Sequence, residues 1–188
     1  MRHGESIDDV ENRFGGWADF PLTKKGQDEA QITARKLLNS KEKFEVILYS
    51  PLTRAVQTTQ IVAEALKIPI QSFVYLKERN TYGLLCGEQK EEAAKNYPEL
   101  SQAFESNEFV LGSERYDDLL LRIDAMLKKI QALGFKNVLA VTHGKLLAAL
   151  CKNFLKQEAK KFEDNCLLTI ELNQSSIKIL SSEGISFS

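Results

Sequence analysis

Apolar residues recur along this chain at two spacings, one typical of amphipathic helices and one typical of short buried strands. Ala30, Ala34, Leu37 and Leu38 follow Thr23 at helical spacing, and threonine is a frequent helix N-cap. This pattern predicts an amphipathic helix that opens at Thr23. Short apolar runs bounded by polar or turn-forming residues predict strands instead.

The same reading divides the rest of the chain into alternating helices and strands. Helices are predicted over 53–66, 88–104, 115–133 and 145–155. Strands are predicted over 44–49, 70–75, 137–141, 166–172 and 177–180. A hairpin through Asn173-Gln174 is expected to join the last two strands. Strands separated by helices imply a mostly parallel sheet covered on both faces. We therefore expect an α/β fold with three α/β/α layers, formed as a single domain over residues 1–188.

Composition excludes several classes of function. The 188 residues carry a net charge of −1, with acids and bases interspersed, so neither a nucleic-acid footprint nor a membrane patch is expected. No apolar run approaches the roughly 20 residues of a membrane span. Cys86, Cys151 and Cys166 are too widely spaced for a metal knuckle or a disulfide framework. We expect a soluble, cytoplasmic protein with reduced thiols.

The only two histidines are each followed by glycine, at His3-Gly4 and His143-Gly144. The second pair follows the predicted strand 137–141 and precedes a predicted helix. A helix N-terminus after a parallel strand offers free N–H groups to an anion at the carboxyl edge of the sheet. The matching settings suggest that the two rings meet at one site.

Several motifs in a fixed order resemble the histidine phosphatase superfamily, which includes the cofactor-dependent phosphoglycerate mutases. The motifs are Arg2-His3-Gly4-Glu5, Asn12-Arg13-Phe14-Gly15-Gly16-Trp17, Leu22-Thr23-x-x-Gly26, Ser50-Pro51-Leu52-x-Arg54, Glu78-Arg79 with Tyr82-Gly83, Gly87-x-x-Lys90, and Thr142-His143-Gly144. They span nearly the whole chain. The resemblance implies a phosphoglycerate mutase-like fold.

The resemblance also implies a catalytic set. His3 is the expected nucleophile that becomes phosphohistidine, with Arg2, Arg54 and His143 around the phosphate and Glu78 as the general acid and base. Fixed positive charge suits the transferring phosphoryl group, and arginine offers bidentate contacts that lysine cannot reproduce. His3 must attack as a neutral imidazole whose other nitrogen donates to a fixed acceptor, most simply a backbone carbonyl.

The expected substrate contacts come from the remaining motif residues, namely Gly15, Gly16, Arg79, Tyr82, Lys90 and Gly144. With arginines supplying the charge, no metal and no cofactor are expected. The expected partner is a small phosphorylated metabolite, and homodimer formation is left open.

The chain departs from the family pattern at two motifs. Asp9 stands six residues after His3, where the family commonly has an asparagine that helps to hold phosphate. A carboxylate there would repel phosphate unless it is protonated or turned away. The segment between Glu78-Arg79 and Tyr82-Gly83 has one residue more than in the mutases, which leaves the placement of Tyr82 open.

A third departure concerns the strand expected before the first histidine. The strand that precedes His143 has no counterpart before His3, because only Met1 precedes Arg2. We therefore expect a truncated first strand, with the natural start upstream or the chain a fragment at its N-terminus.

Three functions remain open. A mutase must keep its bisphosphorylated intermediate from water, which the family does with an insertion bearing an arginine pair, whereas residues 91–111 contain no arginine and are acidic. We therefore expect a phosphomonoesterase. The alternatives are a 2,3-bisphosphoglycerate-dependent phosphoglycerate mutase and, with Asp9 and the short N-terminus in its favour, a catalytically impaired module that only binds phosphate esters.

Overall fold

The computed structural model describes residues 1–173 and 176–188 of the chain. Its helices are α1 (Ile7–Val10), α2 (Lys24–Leu38), α3 (Thr53–Leu66), α4 (Lys90–Asn96), α5 (Pro98–Glu105), α6 (Tyr116–Ala132) and α7 (Gly144–Asn153), with short 3-10 turns at Val74–Leu76 and Gly83–Leu85. Its strands are β1 (Val46–Tyr49), β2 (Ile70–Ser72), β3 (Val138–Val141), β4 (Ala159–Leu172) and β5 (Ile177–Phe187).

A parallel sheet in the order β2-β1-β3 forms the centre of the fold. Successive side chains of a strand point to opposite faces. Accordingly, Val46 and Leu48 of β1 pack with α6 and α7, whereas Ile47 packs with α2 and α3. All three side chains are buried, so the predicted three-layer α/β/α arrangement and the parallel sheet are confirmed.

The N-terminal residues take the place beside β3 where a further strand would end. The Thr142 N–H donates to the Met1 carbonyl over 2.9 Å, and the His3 N–H donates to the Thr142 carbonyl over 3.0 Å. On the other side, Arg2 N–H donates to Cys166 O over 3.1 Å. Among the described residues, the pairing of this segment beside β3 is a single parallel bridge between Arg2 and Thr142. These few hydrogen bonds hold His3 between β3 and β4.

The element bounds correct several expectations. The strand predicted over 70–75 ends at Ser72, and a 3-10 turn follows. The helix predicted over 88–104 is broken at Tyr97 into α4 and α5, because Pro98 lacks an N–H and disfavours helical geometry in the residue before it. Thr23 caps α2 as predicted, with Gly26 N–H donating to its side chain over 3.0 Å. Among its spaced apolar side chains, Ala30, Ala34 and Leu37 are buried and Leu38 is 51% exposed.

The C-terminal hairpin is longer than predicted. β4 and β5 pair antiparallel from Ala159–Phe187 to Leu172–Ile177. Of the predicted turn Asn173-Gln174, Gln174 lies outside the described residues. Within the described ranges, no helix is long and apolar enough to cross a membrane.

Candidate active site

A cavity of about 450 Å³ lies where the chain leaves β1 and β3, and we call it the first cavity. It collects nine of the eleven predicted site residues: Arg2, His3, Gly15, Gly16, Arg54, Glu78, Tyr82, Lys90 and Gly144. The other two are placed differently. His143 is fully buried beside His3, and Arg79 lines a neighbouring cavity.

The His3 ring is neutral, and one of its two nitrogens is unprotonated. Its Nδ1 lies 2.7 Å from the carbonyl oxygen of Gly4. Because a carbonyl only accepts, Nδ1 carries the proton and Nε2 keeps its lone pair. Arg54 Nε donates to that Nε2 over 3.3 Å. Burial, followed by the charges of Arg54 and Arg2, holds the pKa of His3 well below its usual range. A neutral imidazole with an unprotonated Nε2 is the form that a nucleophile requires.

His143 follows β3 after one intervening residue, Thr142, and is the N-cap residue of α7, at the carboxyl edge of the sheet where the sequence predicted it. Its ring centroid lies 4.9 Å from that of His3, so the two histidines do meet. Its Nε2 lies 2.7 Å from Ser50 Oγ, which also accepts the Leu52 N–H. When the Ser50 hydroxyl donates its proton to Nε2, the proton of the neutral His143 ring lies on Nδ1. This Nδ1 is buried and has no hydrogen-bond partner among the described residues. This tautomer makes His143 a donor.

Arg54 is fixed by two backbone carbonyls. Its Nη2 donates to Gly16 O over 2.8 Å and its Nη1 to Ala18 O over 3.0 Å, and the residue is 2% exposed. Gly16 has φ of +53°, and a Cβ there would lie 2.8 Å from Cys86 Sγ. Glycine is therefore required for the turn that brings this carbonyl to Arg54. The guanidinium is thus set in place before any ligand arrives.

Arg2 crosses the cavity wall between the N-terminus and β4. Its Nη1 donates to Phe162 O over 2.8 Å and lies 3.1 Å from Asp164 Oδ1. Its Nη2 lies 3.9 Å from Asp9 Oδ2, which also accepts hydrogen bonds from the backbone and side chain of Ser6. Asp9 thus remains in the cavity lining, with its carboxylate turned to Arg2 and the start of α1. These contacts offset part of the repulsion that a phosphate would meet there.

The Glu78 carboxylate lies at the N-terminus of α7. Its Oε1 accepts the N–H groups of Arg79 and Leu146 over 2.8 and 3.0 Å, and its Oε2 accepts the Lys145 N–H over 3.2 Å. The first N–H groups of a helix have no partner within the helix and attract a carboxylate. This geometry fixes Glu78 at the cavity wall.

Two side chains outside the predicted set of site residues, Trp17 and Arg122, hold the backbone of Glu78. The Glu78 carbonyl accepts Trp17 Nε1–H over 2.7 Å and Arg122 Nη2 over 3.3 Å. Arg122 also donates to the Tyr75 and Lys77 carbonyls and pairs with Glu114 through two hydrogen bonds. We regard Arg122 as a positioning residue for the Glu78 segment.

Tyr82, Lys145 and Lys90 also line the cavity. The Lys145 Nζ lies 4.0 Å from the centroid of the Tyr82 ring. Burial lowers the pKa of Lys145 to about 8, although the Glu78 charge opposes this change. Burial, then the Glu78 charge, raises the pKa of Tyr82 to about 12, so its hydroxyl stays protonated. Lys90 donates to Asn12 Oδ1 over 2.9 Å. These groups can face the part of a ligand that does not react.

Positive charge is concentrated in the first cavity, although the chain has a net charge of −1. Three carboxylates, Asp8, Asp9 and Glu78, face seven basic side chains: Arg2, Arg13, Arg54, Lys90, Lys145, Lys160 and Lys161. Such a cavity attracts anions. Lys145 directly follows His143-Gly144, so its position carried a signal that sequence reasoning overlooked. Lys160 and Lys161 had none, because only the path of β4 brings them here.

Comparison with known proteins identifies the family of the chain. The family model of the histidine phosphatase superfamily (branch 1) matches residues 1–183. The chain belongs to this superfamily.

Within the histidine phosphatase superfamily, the similar proteins carry different names. The 2,3-bisphosphoglycerate-dependent phosphoglycerate mutase of Zymomonas mobilis is 32% identical over 195 residues, covering 86% of each chain. The structure of Bacillus stearothermophilus YhfR aligns with a TM-score of 0.83 and 25% identity, covering 96% of this chain and 93% of that one. A mycobacterial glucosyl-3-phosphoglycerate phosphatase aligns with a TM-score of 0.68 and 25% identity, covering 82% and 77%. Similar proteins are thus named as mutases and as phosphatases.

Proposed function

We propose that this chain is a phosphomonoesterase that hydrolyses a small phosphorylated metabolite through a phosphohistidine at His3. The observation that carries the proposal is the state of the His3 ring. The Gly4 carbonyl fixes the proton on Nδ1, so Nε2 is the atom available to a phosphate in the first cavity. Arg54 and Arg2 place fixed positive charge beside that atom.

In the first step, His3 Nε2 attacks phosphorus and the ester P–O bond breaks. The Glu78 carboxyl group gives a proton to the leaving alkoxide oxygen. In the second step, water attacks phosphorus while Glu78 takes its proton, the P–N bond to His3 Nε2 breaks, and inorganic phosphate leaves. Arg2, Arg54 and, in the tautomer that carries its proton on Nδ1, His143 neutralise charge on the equatorial oxygens.

The residues that line the first cavity favour hydrolysis over mutase activity. Lys90 lines it, but none of the described residues 91–112 does. The α4–α5 segment packs instead around Phe14, Leu85 and Val110. A site without a cover from this segment leaves the phosphohistidine open to water.

A bisphosphoglycerate-dependent mutase is the second candidate, favoured by the 32% identity to the Zymomonas mobilis mutase over 86% of each chain. The two reactions differ in the final acceptor of the phosphoryl group. A mutase returns it to the substrate, whereas a phosphatase gives it to water.

Incubation of the pure protein with 3-phosphoglycerate and catalytic 2,3-bisphosphoglycerate tests the choice. Release of inorganic phosphate, unchanged by a chelator and absent in His3→Gln, supports the metal-independent phosphatase. Formation of 2-phosphoglycerate would support the mutase. If a wider panel of phosphomonoesters binds but none turns over, the chain is a binding module and the proposal is wrong.

A further inference from the structure

The pairing of β4 with β5 is interrupted beside the N-terminal residues. Phe162 pairs with Ile185 and Leu167 pairs with Glu183, so β4 advances by five residues where β5 advances by two. We call residues 163–166 the β4 bulge. Within it, Asn165 has φ of +55°. A bulge takes backbone groups out of the ladder and re-aims the side chains beside them. The β4 bulge therefore has polar groups that β5 does not use.

The β4 bulge binds both Arg2 and His3. The Arg2 N–H donates to the Cys166 carbonyl over 3.1 Å, and the Asn165 N–H donates to the His3 carbonyl over 3.2 Å. Asp164 directly precedes these two residues, and its Oδ1 lies 3.1 Å from Arg2 Nη1. The backbone that holds the N-terminal segment thus also brings a carboxylate to one end of the Arg2 guanidinium.

Asp164 acts on Arg2 through its charge. Its Oδ1 makes no hydrogen bond, so the contact with Nη1 is an ion pair without hydrogen-bond geometry. The side chains of Arg2 and Asp164 are only 20% and 23% exposed, so solvent screens this pair weakly. Burial raises the pKa of Asp164, and the Arg2 charge opposes this change. Arg2 Nε has no hydrogen-bond partner among the described residues, so the guanidinium keeps a donor for a ligand.

Asp9 attracts the same guanidinium from its other end. Asp9 Oδ2 lies 3.9 Å from Arg2 Nη2, and the Asp9 side chain is 41% exposed. Asp9 lines the first cavity, whereas Asp164 does not. Attraction to Asp9 alone would turn the guanidinium away from a phosphate at His3. Asp164 is nearer to Arg2 and less exposed than Asp9, so its attraction is the stronger of the two.

We propose that Asp164 is a positioning residue for Arg2, which offsets the attraction of Asp9 and holds the guanidinium where it contacts the phosphate at His3. This inference rests on the proposed phosphomonoesterase function. Asp164 itself touches neither the substrate nor the reacting atoms. Its role explains how a carboxylate at position 9 can lie beside Arg2 and still be compatible with phosphate binding.

The substitution Asp164→Asn removes the charge and keeps the shape of the side chain. With p-nitrophenyl phosphate, kcat/KM should fall at least about tenfold in the wild-type background, because Arg2 is then drawn to Asp9. In the Asp9→Asn background the loss should be less than about threefold, and in the Arg2→Gln background no further loss is expected. Glu163→Gln is the matched control and should keep the wild-type kcat/KM, because Glu163 is 60% exposed and pairs with Lys161.

The comparison of backgrounds separates positioning from a structural role. If Asp164 only stabilised the β4 bulge, Asp164→Asn would lower kcat/KM by the same factor in the wild-type, Asp9→Asn and Arg2→Gln backgrounds. That result would overturn the inference. Wild-type kcat/KM in Asp164→Asn would overturn it as well.

Calorimetric titration with inorganic phosphate separates this inference from the proposed function. If no ester is hydrolysed, the phosphomonoesterase proposal fails, but Asp164→Asn should still raise the Kd for inorganic phosphate at least about threefold. In the Arg2→Gln background the same substitution should leave this Kd unchanged or lower it, since it then removes only the repulsion between Asp164 and phosphate. An equal rise in both backgrounds, or an unchanged Kd in Asp164→Asn alone, would overturn the role of Asp164.

Discussion

Lys145→Met should stabilise the protein at neutral pH, because Lys145 holds a positive charge in a poorly solvated wall. Burial lowers its pKa from 10.5 to about 8. Methionine keeps the apolar length of the side chain and removes the charge. The same charge is what the proposed ligand would use, so stability is expected to trade against binding.

The magnitude follows from the pKa of Lys145. One pKa unit corresponds to about 1.4 kcal/mol, so a fall from 10.5 to about 8 corresponds to about 3 kcal/mol of lost stability at neutral pH. Loss of the cation–π contact with Tyr82 costs about 1 kcal/mol. We therefore expect the free energy of unfolding of Lys145→Met to exceed that of wild type by about 2 kcal/mol.

The pKa of Lys145 also predicts how the stability difference between Lys145→Met and wild type changes with pH. Below about pH 8 Lys145 is protonated in both the folded and the unfolded chain, so the gain is fully present there. Between about pH 8 and 10.5 the unfolded wild-type chain binds a proton that the folded chain does not bind. Wild-type stability therefore rises with pH over this window relative to the variant, and the difference shrinks.

Urea unfolding of both proteins from about pH 6 to about pH 10 measures this difference. Lys152→Met, on the exposed side of the same helix, is the control and should change stability by less than about 1 kcal/mol. A Lys145→Met variant that is less stable than wild type at neutral pH, or equally stabilised at every pH, would refute the reasoning.

Three further predictions concern catalysis and the core. Arg54→Lys should lower kcat/KM about a hundredfold, because lysine cannot hold the Gly16 carbonyl and contact phosphate together; unchanged steady-state kinetics would contradict this role. Glu78→Gln should slow alkyl phosphates far more than p-nitrophenyl phosphate, whose leaving group needs no proton, and equal losses in kcat would argue against a general acid. Leu48→Ala should lower the free energy of unfolding by about 2–5 kcal/mol, whereas Leu121→Ala, 70% exposed, should be near neutral by urea titration.

Much of the fold was predictable because local pattern and burial agree. The apolar run of β1 marks a strand buried on both faces, and the Thr23 cap marks the start of α2. The breaks were harder to locate. Pro98 was visible in the sequence, yet the charged helical pattern continued past it, and only the structure places the break at Tyr97.

Part of the candidate site could also be predicted from the sequence, and part could not. His3, Arg54 and Glu78 belong to motifs in family order, so their meeting could be predicted before any distance was known. Arg79 adjoins Glu78 in sequence, yet its side chain turns to Tyr116 and lines a different cavity. Lys160 reaches the first cavity only through the path of β4, which no short-range pattern encodes.

The proposed mechanism depends on His3 as the nucleophile. Trapping the phosphorylated enzyme tests this role most directly. The wild-type protein is mixed with a phosphate-labelled substrate, quenched in alkaline denaturant and digested, and the labelled peptide is mapped by mass spectrometry. The proposed mechanism predicts an acid-labile phosphate on His3 that is absent from His3→Gln. A label that survives in His3→Gln, or turnover without any phosphohistidine, would contradict it.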